Sequence, residues 1–520
     1  MLGLWKRPLG TQKLRAFSLN YPRYTTFMLR DDLAKEISEV LGAEAGVRLT
    51  QPERRENGDW STTAPFLLAK KLSRKPDEIA ADAASKLSAS SKIIERAEAK
   101  GGFLNIFVKD ETLIKTLSVK TQFPAKKERI NIEFVSANPT GPLTMANGRG
   151  GFYGDALANL LQKVGYNVTR EFYINDAGNQ VRLLGESIEA AEGNREAKEE
   201  YYKGEYVKRL AGKNAQEAVR ILLSEIRLSL KRAGIEFDVW FSEQELHKKG
   251  ELDKVLSFLE SKGLIEKKDN AIWLGDAVLI KSDGEPTYFL SDLAYHYDKF
   301  LKRQFDIAID VWGADHHGYV DRIKKGIEAL GINPERLKIV IMQLVRLMQG
   351  GTEVRMSKRA GEFVTMDELL EEVGVDVARW FFLERGANTH MDFDLDLAKE
   401  KSEKNPVYYV QYAHTRIASI LQKSTTVASP LKDFNNPVER ELALKIIRYP
   451  EILDDTARDY GVQRLTSYAY ELAQTFSGFY RDVKVIGSDR EAELLYLVLK
   501  TKETLADVLA ILGISRPEKM

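Results

Sequence analysis

Between Asn131 and Gly150 an apolar run, a proline–glycine break and a glycine-lined helix start follow one another, and this succession constrains the fold more than any other stretch of the 520 residues. Ile130, Ile132, Phe134 and Val135 are β-branched or aromatic and predict a strand. Asn138-Pro139-Thr140-Gly141-Pro142 forbids its continuation, because proline lacks an N–H and fixes φ. Asn147 then stands where a helix N-cap belongs, with Ala156, Leu157, Leu160, Leu161 and Val164 as the apolar stripe behind it. Strand, tight turn and small-residue helix start together make an anion site, since free N–H groups and the helix dipole both favour phosphate.

At ~100–200 residues per domain the chain has room for three or four domains. Its 77 basic and 77 acidic residues cancel, so any contact with nucleic acid must come from local patches. The absence of cysteine excludes disulfides, thiolate metal sites and a thiol nucleophile, and six histidines argue against a histidine cage. No apolar run approaches the ~20 residues of a membrane span. Residues 1–27 carry Lys6, Arg7, Lys13, Arg15 and Arg23 and no acid. They read as a basic extension, as a targeting segment or as an arm for RNA, and Met28 also reads as a natural start.

Taken in order, Asp31–Gly42 predicts an amphipathic helix, Ala64–Leu72 another, and Gly101–Val108 a strand, so residues 28–125 form an α+β block. A linker over Pro124–Arg129 leads into the core. Tyr166–Gln180 gives a strand and the turn Asn175-Asp176-Ala177-Gly178. Residues 181–264 turn charged and helical, with Leu222, Ile226 and Leu230 on one face, and read as an insertion. Strands return at Ala271–Leu274, Ala277–Ile280, Phe305–Gly318 and Lys338–Gln343, so residues 126–180 and 265–365 predict a doubly wound parallel sheet of Rossmann type. Residues 366–400 connect to an all-α domain over 401–520, where Leu465, Tyr468, Ala469, Leu472 and Phe476 share one stripe.

These stretches carry a resemblance to the class I aminoacyl-tRNA synthetases, and among them to the arginyl-tRNA synthetases. The family usually reads Ser-x-Asn-Pro-x-Gly-Pro-Leu-His-x-Gly-His where this chain runs from Ser136 to Asn147; Thr144 and Asn147 replace the two histidines and Ala146 the glycine. Tyr173–Gln180 matches the family nearly letter for letter, and Arg355-Met356-Ser357-Lys358-Arg359 resembles the Lys-Met-Ser-Lys loop with arginine first. Alone, such a loop reads first as solvated surface; the strand–turn–helix at Ile130 and the Gly313–Gly318 run are what give it weight.

The resemblance implies activation of arginine by ATP, with Mg²⁺ carried on the phosphates, and transfer to tRNA-Arg. Expected catalytic groups are Thr144, Asn147, Arg355 and Lys358. Met145, Ala146, Gly148, Arg149, Asp315, Met356, Ser357 and Lys358 would line the ATP site. Glu133, Ser136, Asn138, Tyr288, Asp292 and His316 fall at positions that hold arginine. Two carboxylates and a phenol suit a guanidinium, which offers five donors in fixed directions. The adjacent His316 and His317 also admit a metal-site reading, although neighbours on a strand point to opposite faces. The N-terminal block is expected on the tRNA elbow, and Tyr408, Tyr409, Tyr412 and Met520 near the anticodon. The protein is expected to be a cytoplasmic monomer without a membrane partner. Two rival readings are a catalytically silent tRNA-binding relative and a class I ligase for another cationic amino acid.

Overall fold

The strand expected at Ile130 sits at the centre of a five-stranded sheet in the computed structural model, which describes residues 28–42, 46–120, 122–354 and 364–520. The strands are β1 (Arg129–Glu133), β2 (Asn167–Ile174), β3 (Val239–Ser242), β4 (Ile307–Gly313) and β5 (Leu337–Met342). They pair in the order β5-β4-β1-β2-β3, all parallel. The chain leaves β1 toward β2 on one side and returns to β4 on the other. The switch point therefore lies between the carboxyl ends of β1 and β4, where open α/β sheets bind ligands.

Helix α1 (Met145–Lys163) packs on the sheet, with Phe152, Ala156, Leu157, Leu160 and Leu161 fully buried. Its small residues have a steric cause: a Cβ on Gly154 would stand 2.2 Å from the ring of Phe134. Any side chain there would push the helix off the strand. Helix α2 (Tyr288–Tyr297) covers the sheet near β4 and continues into a short π-turn over Asp298–Lys302.

Three structural details depart from the sequence reading. Val239–Ser242 falls inside the expected 181–264 insertion, yet it is the edge strand of the core sheet, beside β2. Ile265–Lys268, Ala271–Leu274 and Ala277–Ile280 form a separate antiparallel sheet, because their short connections can only fold back. Within 366–400, Met391–Asp394 pairs with Val345–Gln349, so this connecting segment contributes a strand to a third small sheet. The strand at Leu337–Met342, an edge, is mostly half-buried.

The N-terminal unit combines a three-stranded sheet with helices Leu29–Leu41, Ala64–Leu72, Pro76–Ser90 and Asp110–Ser118. Charged groups dock it on the C-terminal helices: Arg440 grips Asp59 through two bonds of 2.7 and 2.8 Å, and Trp60 donates to Glu451 at 3.2 Å. The C-terminal unit packs α3 (Pro406–Lys423), α4 (Gln463–Asp482) and α5 (Glu491–Leu512) around Leu465, Leu472, Phe476, Val498 and Leu505. Buried Arg379 ties it to the core, donating to Asp155 of α1 at 2.7 Å and to the Leu512 carbonyl at 3.1 Å. Among the described residues no helix is long and apolar enough to cross a membrane.

Candidate active site

Beyond Glu133 the backbone twists sharply. Val135 and Ser136 take φ of 67° and 36°, left-handed values that a β-branched residue rarely adopts. The turn is held by Ser136, whose hydroxyl accepts from the Tyr173 amide at 3.0 Å. Gly141 follows, so close under the Tyr206 ring that a Cβ would lie 3.2 Å from it.

Helix α1 begins three residues earlier than the sequence reading placed it. Thr144 is the N-cap and Asn147 the third residue, and the two close a capping box. The Asn147 side-chain oxygen accepts from both the Thr144 amide and the Thr144 hydroxyl, each at 2.9 Å. The threonine hydroxyl is thus spent inside the helix cap, and only the Asn147 NH₂ keeps the donor role expected of the pair. Met145 is fully buried, Ala146 is exposed, and Gly148 is buried beside Phe382 and Met366.

Arg149 requires a correction. It was expected at the ATP site, but the residue is 1% exposed and its guanidinium donates to the carbonyls of Gln343, Gly386 and Thr389 at 2.7, 2.9 and 2.8 Å. Burial lowers its pKa to about 10, which still leaves it charged at neutral pH. Its donors brace the backbone around the site and do not reach a phosphate. The expected Arg355, Met356, Ser357 and Lys358 lie outside the described residues. Their downstream flank is nevertheless stapled to α1: the Met145 amide donates to Val364 at 3.1 Å, and Met366 donates to Leu143 at 2.9 Å.

The opposite end of the cleft is acidic. Asp292, half-buried on α2, accepts from the Tyr319 hydroxyl at 2.6 Å. Burial first, and then the charges of Glu133 and Glu243, push its pKa up to about 7 against the pull of Tyr319 and His296. Glu133 closes β1 and is 8% exposed; burial raises its pKa while Lys299, 2.8 Å away, lowers it. Glu243, not singled out from the sequence, is a third acid here, raised by burial. With its amide oriented to suit its neighbours, Asn175 donates to Glu243 at 2.9 Å and faces Asn138 at 3.3 Å, which links the signature turn to this acid. The half-buried Tyr173 is flanked by Glu243, Asp292 and Glu133 together. Tyr288, one turn before Asp292, is 54% exposed at the mouth.

Asp315 and His316 occupy a 3-10 turn at the end of β4, not the strand itself, with exposed side chains 3.5 Å apart. The same turn ends in Tyr319, so it is tethered to Asp292. Among the described residues no group of three or more histidines and acids is arranged to hold a metal ion.

In the C-terminal unit the expected aromatic residues separate. Tyr409 packs on Tyr470, ring centroids 5.1 Å apart, and donates to Ser477, while Tyr408 is half-buried against the core. They sit on the helical period, which turns them inward. Tyr412 is exposed in a groove with Arg416, Lys423, Tyr480, Arg481 and Lys484. The Arg416 guanidinium lies 4.6 Å from the Tyr412 ring centre and 5.1 Å from that of Tyr480. Met520 is also exposed. The two arginines and two lysines of this groove escaped the sequence reading; Arg416, one turn after Tyr412, was the available signal.

A parallel nucleotide sheet whose first strand opens on a proline–glycine turn and a capped helix, with an acidic pocket across its switch point, defines a class I aminoacyl-tRNA synthetase. The family model described as "tRNA synthetases class I (R), catalytic domain" matches residues 110–203 and 189–420, the "Arginyl tRNA synthetase N terminal domain" matches 28–108, and the "DALR anticodon binding domain" matches 410–520. The chain belongs to the arginyl-tRNA synthetase family. It is 42% identical over 530 residues to an arginine–tRNA ligase of Carboxydothermus hydrogenoformans, covering 92% of this chain and 95% of that one. With an arginine–tRNA ligase of Dehalococcoides mccartyi it shares 39% identity, over 94% of this chain and 96% of the relative. The Thermus thermophilus arginyl-tRNA synthetase structure has the same fold, with a TM-score of 0.80 and 22% identity over 95% of this chain and all of that one (100%).

Proposed function

We propose that this chain is an arginine–tRNA ligase, which activates L-arginine with ATP to arginyl-adenylate and pyrophosphate and then passes the arginine to the 3′-terminal adenosine of tRNA-Arg. The observation that carries the reading is the acidic end of the cleft, where Asp292, Glu133 and Glu243 gather around Tyr173 at the switch point of the sheet. Ionised carboxylates fixed in such a pocket suit a guanidinium, each charge-assisted bond contributing about 1.5–3 kcal/mol.

In the first step an oxygen of the arginine carboxylate attacks the α-phosphorus of ATP. The bond from that phosphorus to the β-phosphate bridge breaks, and pyrophosphate leaves. The protein holds the reactants in line and offsets charge on the departing group. Asn147 offers a neutral donor from the first turn of α1, and Arg355 and Lys358 bring positive charge. In the second step the 2′ hydroxyl of the terminal adenosine attacks the arginyl carbonyl and AMP leaves. Mg²⁺ would arrive on the phosphates of ATP and supply further charge neutralisation there.

His316 would meet the substrate's α-amine, and Tyr288 and Asn138 would help to hold the arginine. The N-terminal unit would grip the tRNA elbow, and the groove at Tyr412 and Arg416, with Met520, the anticodon. We place the enzyme in the cytoplasm as a monomer. Charging of total tRNA with labelled arginine tests the reading: arginyl-tRNA should form only with ATP present. A second reading, a silent tRNA-binding relative, draws on the Thr144 hydroxyl and the Arg149 guanidinium being spent on structure. It predicts tRNA retention with neither charging nor pyrophosphate exchange.

A further inference from the structure

Three acids stand in one row across the middle of the sheet. Asp310 of β4 is the register partner of Glu133 of β1, which is in turn the partner of Glu171 of β2. Register partners on neighbouring strands project from the same face, about 4.8 Å apart. Their exposures are 0%, 8% and 0%, so water does little to separate the charges.

What covers the row is one stripe of α2 and the π-turn after it. His296, Lys299 and Arg303 follow Asp292 at helical spacing. The Lys299 ammonium, fully buried, donates to Glu133 Oε2 and to Asp310 Oδ1, both at 2.8 Å. It also lies 4.1 Å from the centre of the Tyr295 ring. His296 Nε2 is 3.0 Å from the other Asp310 oxygen, and Arg303 and Tyr295 both donate to Glu171. Asp310 and Glu171 therefore each have a second partner. Glu133, the middle acid and the one nearest the pocket, is held by Lys299 through Oε2, and no described hydrogen bond reaches Oε1.

We infer that Lys299 is a positioning residue for the amino-acid substrate: by bridging Glu133 and Asp310 it holds one Glu133 oxygen in place, leaving the other to face a guanidinium. The inference rests on reading the pocket as the arginine site. A lysine that only balances buried charge would support the fold without affecting how arginine is held.

The experiment measures arginine-dependent pyrophosphate exchange, with tRNA present, and melting temperature, for wild type, Lys299→Met, Lys299→Arg and the double variant Lys299→Met/Asp310→Asn. Lys299→Met should raise the KM for arginine at least about tenfold, the size of one lost charge-assisted bond, with the KM for ATP within about twofold of wild type. The double variant removes the neighbouring acid with its cation; it should melt near wild type and keep the raised arginine KM, and Lys299→Arg should recover part of it. A folded single or double variant with wild-type arginine KM overturns the assignment, as does a parallel rise in both KM values. Wild-type protein without arginine-dependent exchange would instead overturn the arginine reading beneath it.

Discussion

At the guanidinium end of the cleft, buried acids are matched by the protein's own cations: Lys299 lies between Glu133 and Asp310, and Arg303 lies on Glu171. At the phosphate end the polar side chains of α1 are engaged in structure. Thr144 caps the helix against Asn147, and Arg149 is buried among three carbonyls. One end is prearranged before substrate arrives, while the other offers neutral donors and, under the proposed function, would take its positive charge from the Arg355–Arg359 stretch. A prearranged pocket discriminates between substrates because its geometry is already set. Charge brought in by a separate segment acts on the transition state, where pyrophosphate departs.

The largest expected effect falls at the phosphate end. Lys358→Ala should slow pyrophosphate exchange by about a hundredfold or more, the scale of removing one oxyanion donor. A loss within twofold would mean that charge on pyrophosphate is met elsewhere. At the other end, Asp292→Asn should raise the arginine KM by about ten- to a hundredfold, with a smaller change in kcat, and should narrow the margin over citrulline. Unchanged steady-state constants would remove Asp292 from the pocket.

The two cap residues sharpen the contrast further. Asn147→Ala removes both the NH₂ donor and the cap acceptor, so adenylate formation should fall at least about tenfold. Thr144→Ala removes only the cap, so its loss should be smaller and should show mainly as a lower melting temperature. Equal losses in rate would return the threonine hydroxyl to the chemistry.

The smallest effect is a pH slope. Asp292 sits at about 7, raised by burial and by Glu133 and Glu243, with Tyr319 and His296 facing it from the other side. A bound guanidinium favours its ionised form, so below pH 7 arginine must displace a proton. The arginine KM should therefore rise as pH falls, by at most about tenfold per unit, and level off above pH 7. In Asp292→Asn this part of the slope should vanish.

Much of the core was legible from the chain. The strand at Ile130, the proline break and the helix behind it follow from side-chain type alone, as do the helical C-terminal unit and the stripe through Leu465 and Phe476. The helix start was misplaced because threonine and asparagine both favour caps, and only geometry shows which is N-cap and which is third residue. Arg149 looked free beside glycines, yet its partners are carbonyls near residues 343 and 386–389, contacts that no local pattern announces. Tyr409 and Tyr412 lie three residues apart, offset by about 60° around the helix, and that offset separates core from groove. The acid row was the most readable omission. Asp310 interrupts an apolar strand, and Asp292, His296, Lys299 and Arg303 keep helical spacing, so buried pairing was written into both.

The most direct measurement is exchange of pyrophosphate into ATP, with tRNA present, and arginine, lysine or citrulline as the amino acid. The acidic pocket predicts exchange with arginine, little with lysine, whose ammonium cannot meet the acids in a planar fork, and none above background with citrulline, which carries no charge. Equal exchange with lysine or citrulline, or exchange indifferent to any of the three, would contradict it.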